Sequence, residues 1–404
     1  MAAIENRVII VGAGPVGLMT AFLLDSHDIP YLLIASEAVL ATDLRASTFH
    51  PPTLDLLDNH GLAAPLIEQG LRSPTWQIRL HETGERAEFD LTVIGDATRH
   101  PFRLQCEQSK LCELLLKRLY ASGKGEILLG RRIDGVSQDD DGVTIITYDA
   151  DAPENTHPMT FTGRYLVGAD GARSVVRKSL SFGFDGKTYP ETTILATTLF
   201  PFHDHLPGLS NVNYVWKDGG TFSLLRLPHL WRCSLYPDHE ESIEDGLKPE
   251  SIQRKLQAIV PNSAGHEVIE SRAYRIHMRI TDTYRKGRVA LAGDAAHVNS
   301  PSGGMGMNGG VHDAFELTAA LAEIWHGGRI ELLDRYTRRR RPIAEQEVLA
   351  QSDRNRARMQ ERDGTKRREM LTALQRIAGD PVAAHEHLLR TSMIAGLRRA
   401  AEIA

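Results

Sequence analysis

Residues 8–17, VIIVGAGPVG, are the stretch that decides the fold. Four consecutive apolar residues form a buried strand, a glycine turn follows, and a helix begins at about Pro15 and runs to about Leu24. The glycines at Gly12, Gly14 and Gly17 have the G-x-G-x-x-G spacing. At that spacing the first allows a tight turn, the second lets a pyrophosphate approach the backbone, and the third lets the helix pack against the strand. Pro15 and Val16 open the helix, whose first free N–H groups and dipole favour bound phosphate. Residues 31–34, YLLI, supply a second buried strand, so strand, helix and strand form a βαβ unit. The acid that usually ends the second strand and holds a ribose is missing, because Ala35 stands there. Glu37 is the nearest acid and takes that role in this reading.

The bulk composition sets the outer limits. The chain has 404 residues, 42 % hydrophobic and 25 % charged, with a net charge of -5. That length supports two or three domains with full cores. The negative balance argues against nucleic acid as a main partner. Cys106, Cys112 and Cys233 form no disulfide or zinc pattern, so a cytoplasmic location and a buried, inert role are expected. The uncharged run 8–24 carries glycines and Pro15 and lacks a basic leader, so neither a signal peptide nor a membrane span is expected.

Outward from the opening unit, Pro51 and Pro52 start a short helix that Gly61 ends. Residues 76–80 and 89–93 alternate and form a hairpin. Residues 107–120 form an amphipathic helix with Leu111, Leu114, Leu115 and Leu119 inward. Residues 127–136 and 143–148 form a second hairpin, and residues 164–168 another buried strand. From 181 to 280 short alternating runs dominate, at 193–200, 212–216, 222–227 and 231–236, with a helix near 249–260. They predict an antiparallel sheet. Buried-strand character returns at 288–292, a long helix is expected over 309–324, and the charged tail from Leu332 is helical.

Two further motifs stand at strand ends: Gly168-Ala-Asp170-Gly171-Ala-Arg173-Ser174, and Gly293-Asp294-Ala295-Ala296-His297 followed by PSGGMGMNGG at 301–310 and Asp313. With GAGPVG at the start, VGADGARSVVR and RVALAGDAAHVNSPSGGMGMNGGVHDA, the chain resembles the group A flavoprotein monooxygenases, the p-hydroxybenzoate hydroxylase-like aromatic hydroxylases. The resemblance covers about residues 5–345.

The resemblance implies an α/β architecture. A Rossmann-like FAD-binding domain (1–75, 100–180 and 281–345) is interrupted by an antiparallel-sheet substrate domain (76–99 and 181–280), and helices close the chain (346–404). It implies that Gly12, Gly14 and Gly17 bind the FAD pyrophosphate, that Arg45 reaches the cofactor, and that Gln108 lies beside the pyrophosphate or ribityl chain. Asp294, next to Gly293, would accept hydrogen bonds from the ribityl hydroxyls. Asp170 would lie near FAD and the nicotinamide donor.

Elementary chemistry gives the 301–310 loop its own reading. Reduced flavin carries negative charge near N1 and O2, which backbone N–H groups at a helix start stabilise. Gly304, Met305, Gly306, Met307 and Asn308 are the candidates, and Pro301 covers the reacting side. No side-chain base is assigned, and His297 is read as a structural hydrogen-bonding residue.

The implied activity is hydroxylation of a small aromatic or heteroaromatic compound, phenol or hydroxypyridine-like, through a flavin C4a-hydroperoxide. FAD, NADH or NADPH, and dioxygen take part, and no metal is expected. The alternative is an FAD-dependent reductase or dehydrogenase of the same fold without oxygen transfer. The W-x-W-x-I-P signature of flavin halogenases and a second nucleotide motif of the Baeyer–Villiger type are both missing from the sequence. Residues 346–404 are too few for the extra domain that larger members carry, so a short, single-component enzyme, monomer or homodimer, is expected. Substrate contacts are expected from the sheet, with Tyr189, His203, Tyr214, Arg226, Tyr236 and Tyr274 as candidates. Arg226 interrupts an apolar run, which makes it a candidate for a carboxylate or oxyanion, and no one of these residues is singled out. The arginine run 338–341 reads as a solvated helix end.

Overall fold

The computed structural model describes residues 3–42, 46–151, 157–238 and 241–404. Strand Val8–Val11 lies inside a six-stranded sheet ordered Arg285–Lys286, Val289–Leu291, Tyr165–Gly168, Val8–Val11, Tyr31–Ile34, Glu126–Leu128. All neighbours pair in parallel except the first two strands. The four central strands are fully buried, as expected of parallel strands covered on both faces. Chain order changes direction on either side of Val8–Val11, with Tyr31–Ile34 on one flank and Tyr165–Gly168 on the other. Open α/β sheets bind ligands at the carboxyl ends of strands at such a switch point. Helices Pro15–Ser26 and Gly306–Trp325 pack there side by side.

The second large sheet has eight strands: His297–Val298, Val268–Thr281, Phe184–Thr198, Trp231–Leu235, Gly220–Arg226, Val212–Lys217, Thr75–Leu80 and Arg86–Asp90. Its two faces are different. Ile194, Phe222, Leu224, Cys233 and Leu235 pack with Ile252 and Leu256 of helix Pro249–Gln257. The opposite face carries Trp76, Ile78, Val212 and Trp216, which share a core with Leu371, Leu374, Leu388 and Ile394 of the C-terminal helices.

Several expectations need correction. The run 127–136 is not one strand: Glu126–Leu128 joins the parallel sheet, and only Arg131–Gln138 pairs with Val143–Asp149. Positions 91–94 form a 3-10 turn capped by the Asp90 carboxylate, so the hairpin ends at Asp90. The sheet is not wholly antiparallel, because Val212–Lys217 runs parallel to Thr75–Leu80. The long helix starts at Gly306, three residues early. Strand Val268–Thr281 was not marked at all, because charged residues break its apolar alternation.

The arginine run 338–341 is not a solvated helix end. Arg340 is 1 % exposed, and its Nε donates to Asp313 at 2.7 Å. Arg338 binds the Ala404 carbonyl, Arg339 pairs with Glu316, and Arg341 donates to the Thr281 carbonyl. The run joins three parts of the chain.

Candidate active site

The glycine turn is built by close approach. Gly12 has φ +108°, and a Cβ there would strike the Ala169 backbone of the Asp170 motif. Only glycine adopts that backbone without strain. A Cβ on Gly17 would overlap the Gly12 carbonyl, whereas Gly14 faces open space. That opening, beside the first turn of helix Pro15–Ser26, has the shape a pyrophosphate needs. Val16 packs against Gly293 and Gly310, where any Cβ would collide with it. The dinucleotide turn, the Gly293–Asp294 motif and the helix behind the glycine loop therefore meet at one point. Asp294 is exposed there. These features fit FAD.

The other cofactor candidates are placed as follows. Glu37 is exposed and accepts from Ser36 Oγ at 2.9 Å, three residues beyond the strand end. Gln108 is the half-buried first residue of helix Gln108–Ser122, and its backbone N–H donates to the Ala46 carbonyl. Arg45 lies outside the described residues. Asp170 Oδ2 accepts from the Val175 and Val176 N–H groups at 2.7 and 3.2 Å. Its buried Oδ1 has no hydrogen-bond partner among the described residues, and burial raises the carboxyl pKa. Asp170 thus anchors the start of helix Val175–Ser179.

In the glycine loop, the Gly304 N–H is used in a turn to the Pro301 carbonyl. This removes Gly304 from the anion-stabilising donors. Helix Gly306–Trp325 leaves the N–H groups of Gly306, Met307 and Asn308 in its first turn, where no intrahelical acceptor exists. The Asn308 side chain points into the protein. It donates to the Thr48 and Gly304 carbonyls at 2.8 and 2.7 Å and accepts from the His50 N–H at 2.9 Å. Asn308 can offer a cofactor its backbone only. Pro301 is exposed, and Met305 is buried as the residue preceding the helix.

Behind the loop lies a fully buried ionic cluster. Asp313 Oδ2 accepts from the Gly293 N–H at 3.1 Å and lies 2.7 Å from His297 Nε2. Arg340 binds Asp313 Oδ1 and donates to the Gly309 carbonyl. The Asp313 carboxyl is held down at about 2: burial opposes ionisation, but the charges of His297 and Arg340 outweigh it. The cluster fixes the Gly293 turn against the helix, which gives His297 the structural role expected of it.

A cavity opens between this loop and the face of the eight-stranded sheet that carries Trp76 and Ile78. Gly303 and Met305 bound it on the loop side, and Trp76, Ile78 and Tyr214 on the sheet side. Arg103 enters from strand Arg103–Gln105, and Asn355, Arg358 and Met359 from helix Ala350–Gln360. Asn355 Nδ2 reaches the Ser302 carbonyl and Trp216 Nε1 donates to the Arg358 carbonyl, so this helix joins the loop to the sheet.

Strand alternation sorts the substrate candidates. Tyr214 pairs with Ile78 and lines the cavity. Arg232 pairs with Leu225, two positions along the register from Ser234, Ser223 and Tyr214. It is therefore on the same face, reaches Ser47 Oγ at 3.2 Å, and interacts with Tyr274. Tyr236 and Tyr274 adjoin each other, and burial raises the Tyr236 phenol pKa. Arg226 pairs with Trp231 and so belongs to the opposite face. His203 stacks on Trp231 at the same distant side. Tyr189 lies under Arg356, and its hydroxyl binds Asp353. Neither Arg226, His203 nor Tyr189 lines the cavity. Sequence reasoning missed Trp76, Arg103, Asn355, Arg358 and Met359. Arg232 was findable, because in WRCSL the alternation puts Trp231, Cys233 and Leu235 on one face and Arg232 on the other.

Comparisons with known proteins agree with this geometry. Residues 5–351 match the family described as FAD binding domain. The chain is 34 % identical over 344 residues to para-nitrophenol 4-monooxygenase of Pseudomonas sp. (strain WBC-3), covering 84 % of this chain and 83 % of that protein. It is 32 % identical over 341 residues to 6-hydroxy-3-succinoylpyridine 3-monooxygenase HspB of Pseudomonas putida, covering 84 % and 85 %. The crystal structure of p-nitrophenol 4-monooxygenase PnpA from Pseudomonas putida DLL-E4 superposes with a TM-score of 0.89 at 28 % identity, covering 97 % of this chain and 98 % of that one. Nothing among these relatives supports the reductase alternative. The glycine turn, the Asp294 motif and the loop-bounded cavity are thus those of a member of the FAD binding domain family, and the chain belongs to its FAD-dependent aromatic monooxygenases, the group A flavoprotein hydroxylases.

Proposed function

We propose that this enzyme hydroxylates a small phenol or hydroxypyridine-like ring, using NADH or NADPH and dioxygen. The observation that carries this reading is the cavity, walled by Trp76 and Tyr214 and closed on the other side by Gly303 and Met305 of the glycine loop. Bound FAD supplies electron transfer and oxygen activation, and the chain binds, orients and excludes water. In this reading Gly12, Gly14, Pro15, Val16 and Gly17 hold the pyrophosphate, with Arg45 and Gln108 beside the cofactor. Gly293 and Asp294 hold the ribityl chain, and Asp170 keeps the adjoining turn in place. The first-turn N–H groups of Gly306, Met307 and Asn308 face the anionic edge of the flavin, while Pro301 and Met305 adjoin the reacting side.

The FAD-binding part would comprise 1–75, 100–180 and 281–345, and the substrate sheet 76–99 and 181–280. The helices of 346–404 would close the cavity. We further propose a cytoplasmic monomer or homodimer that binds neither nucleic acid nor membrane. The three cysteines are free and buried, which fits a reducing compartment. Among the described residues no helix is long and apolar enough to cross a membrane.

The test is substrate-dependent NAD(P)H consumption and oxygen uptake across a panel of phenols and hydroxypyridines. At least one ring should accelerate flavin reduction and be recovered hydroxylated, whereas a flat response across the panel counts against the reading. A narrower expectation concerns the ribose. Glu37→Ala should lower FAD retention several-fold if Glu37 replaces the missing strand-end acid, by removing a charge-assisted hydrogen bond. Unchanged flavin content after gel filtration would end that assignment.

A further inference from the structure

The glycine loop does not hold its own shape. Gly303 has φ +103° and Gly304 φ +67°, both in the left-handed region, and neither has a side chain to pack. The shape is imposed from outside, carbonyl by carbonyl. Asn355 Nδ2 donates to the Ser302 carbonyl at 3.4 Å, His50 Nε2 to the Gly303 carbonyl at 2.8 Å, and Asn308 Nδ2 to the Gly304 carbonyl at 2.7 Å. The donors come from helix Ala350–Gln360, from the residue before helix Pro51–Asp58, and from helix Gly306–Trp325. Three successive carbonyls are thus held by three separate parts of the chain. The Asn355 amide also occupies the space beside Gly303, where a Cβ would lie 2.8 Å from its nitrogen. Ser352, on the same helix, accepts from Asn299 Nδ2 at 3.0 Å, so the helix grips the loop at its start as well. His50 is buried, and its pKa is pushed down to about 3, mainly by burial and then by Arg103. It is therefore neutral, and the carbonyl partner places its one proton on Nε2.

We infer that His50 and Asn355 are positioning residues for the redox poise of the flavin, acting through the backbone of the glycine loop. This rests on the reading above that puts the first-turn N–H groups of helix Gly306–Trp325 at the anionic edge of reduced FAD. The peptide bonds are trans and planar, so a carbonyl fixed on one side fixes the N–H on the other. Holding the carbonyls of Ser302, Gly303 and Gly304 therefore aims the peptides that lead into the helix start. Donors already in place stabilise a charge that develops on reduction without having to reorient. A loop released from either hold must first be ordered. The anionic reduced cofactor then loses more than the oxidised one, because hydrogen bonds to a charged acceptor are the stronger kind.

The experiment measures the two-electron reduction potential of bound FAD by dye equilibration, beside the dissociation constant of oxidised FAD. Asn355→Leu and His50→Leu each remove one donor and keep an apolar side chain in its place. Each should weaken reduced FAD about tenfold more than oxidised FAD, which lowers the potential by about 30 mV. Asn355→Gln, which keeps an amide donor, should recover part of the shift. Equal weakening of both redox forms leaves the potential where it was and overturns the inference, since that is the result of a merely structural role. Gly303→Ala disturbs the loop directly and serves as the reference. A shift in Gly303→Ala with none in the other two rejects the positioning residues and keeps the loop beside the flavin. No shift in any of the three rejects the placement of the loop as well. Hydroxylation across the ring panel is scored separately. Hydroxylation with unmoved potentials sinks this inference alone, and lowered potentials in an enzyme that hydroxylates no ring support it while sinking the hydroxylase reading.

Discussion

Replacing Asp313 by alanine is expected to cost about 3–5 kcal/mol of stability, the range for breaking a buried ion pair from one side. Arg340 would remain 1 % exposed with its main partner gone, and His297 and the Gly293 N–H would lose their acceptor. Because Asp313 ties the Gly293 turn to the helix behind the glycine loop, flavin should be lost with the stability. Chemical denaturation and flavin content of the purified variant measure both. Pairing Asp313→Ala with Arg340→Met should recover much of the loss, since the stranded charge is removed as well. A double variant no more stable than Asp313→Ala would show that the pair is not the source of the effect. The same carboxylate sets an acid limit. Its pKa is about 2 in the folded protein against 3.8 ordinarily. A depressed pKa stabilises the fold above the ordinary value and loses that contribution as pH falls towards 2. Asp313→Asn should flatten that part of the acid-unfolding curve.

The second large effect is expected at the opening turn, where two neighbouring glycines should fail differently. In Gly17→Ala the new Cβ meets the Gly12 carbonyl, a backbone atom that cannot swing aside. Helix and strand must separate, at a cost of about 3 kcal/mol or more, and the protein should be both unstable and free of flavin. In Gly14→Ala the Cβ points into open space. The melting temperature of the flavin-free protein should stay near that of wild type, while FAD binding collapses because the methyl occupies the room left for the pyrophosphate. Thermal unfolding of the apo forms and titration with FAD separate the two cases. A Gly14→Ala protein that purifies with full flavin would refute the placement of the pyrophosphate.

These expectations show where a sequence is legible. VIIV and YLLI could be recognised as strands because parallel strands buried on both faces need apolar residues at every position. The glycine turn was legible because each glycine answers a local steric demand. Strand Val268–Thr281 was opaque for the opposite reason. Polar residues stand on both of its faces, Arg272 and Tyr274 on one and Arg275, His277 and Arg279 on the other, so no apolar alternation is left to read. Arg340 looked like one of four solvated arginines, and nothing local distinguishes it. Its burial depends on an aspartate in another helix. The same holds for Asn355, Arg358 and Met359, whose position at the cavity is set by how helix Ala350–Gln360 crosses the sheet. Arg226 was a wrong choice of a different kind. Counting parity from Trp231 turns it away from the cavity side and puts Arg232 on the face that carries Tyr214.

The central position of strand Val8–Val11 has a consequence for biosynthesis. Its turn is seated on Ala169, and its helix packs against glycines 293 and 310. At about 5–20 residues per second, the ribosome needs roughly eight to thirty seconds after making Gly12 to deliver residue 169, and longer to deliver the rest. Through that interval the uncharged segment 8–24 has no completed sheet to enter. Exposed apolar chain with unpaired strand edges is prone to aggregate and is what chaperones exist to hold. The segment that defines the cofactor site therefore leaves the ribosome well before the strands and glycines that enclose it.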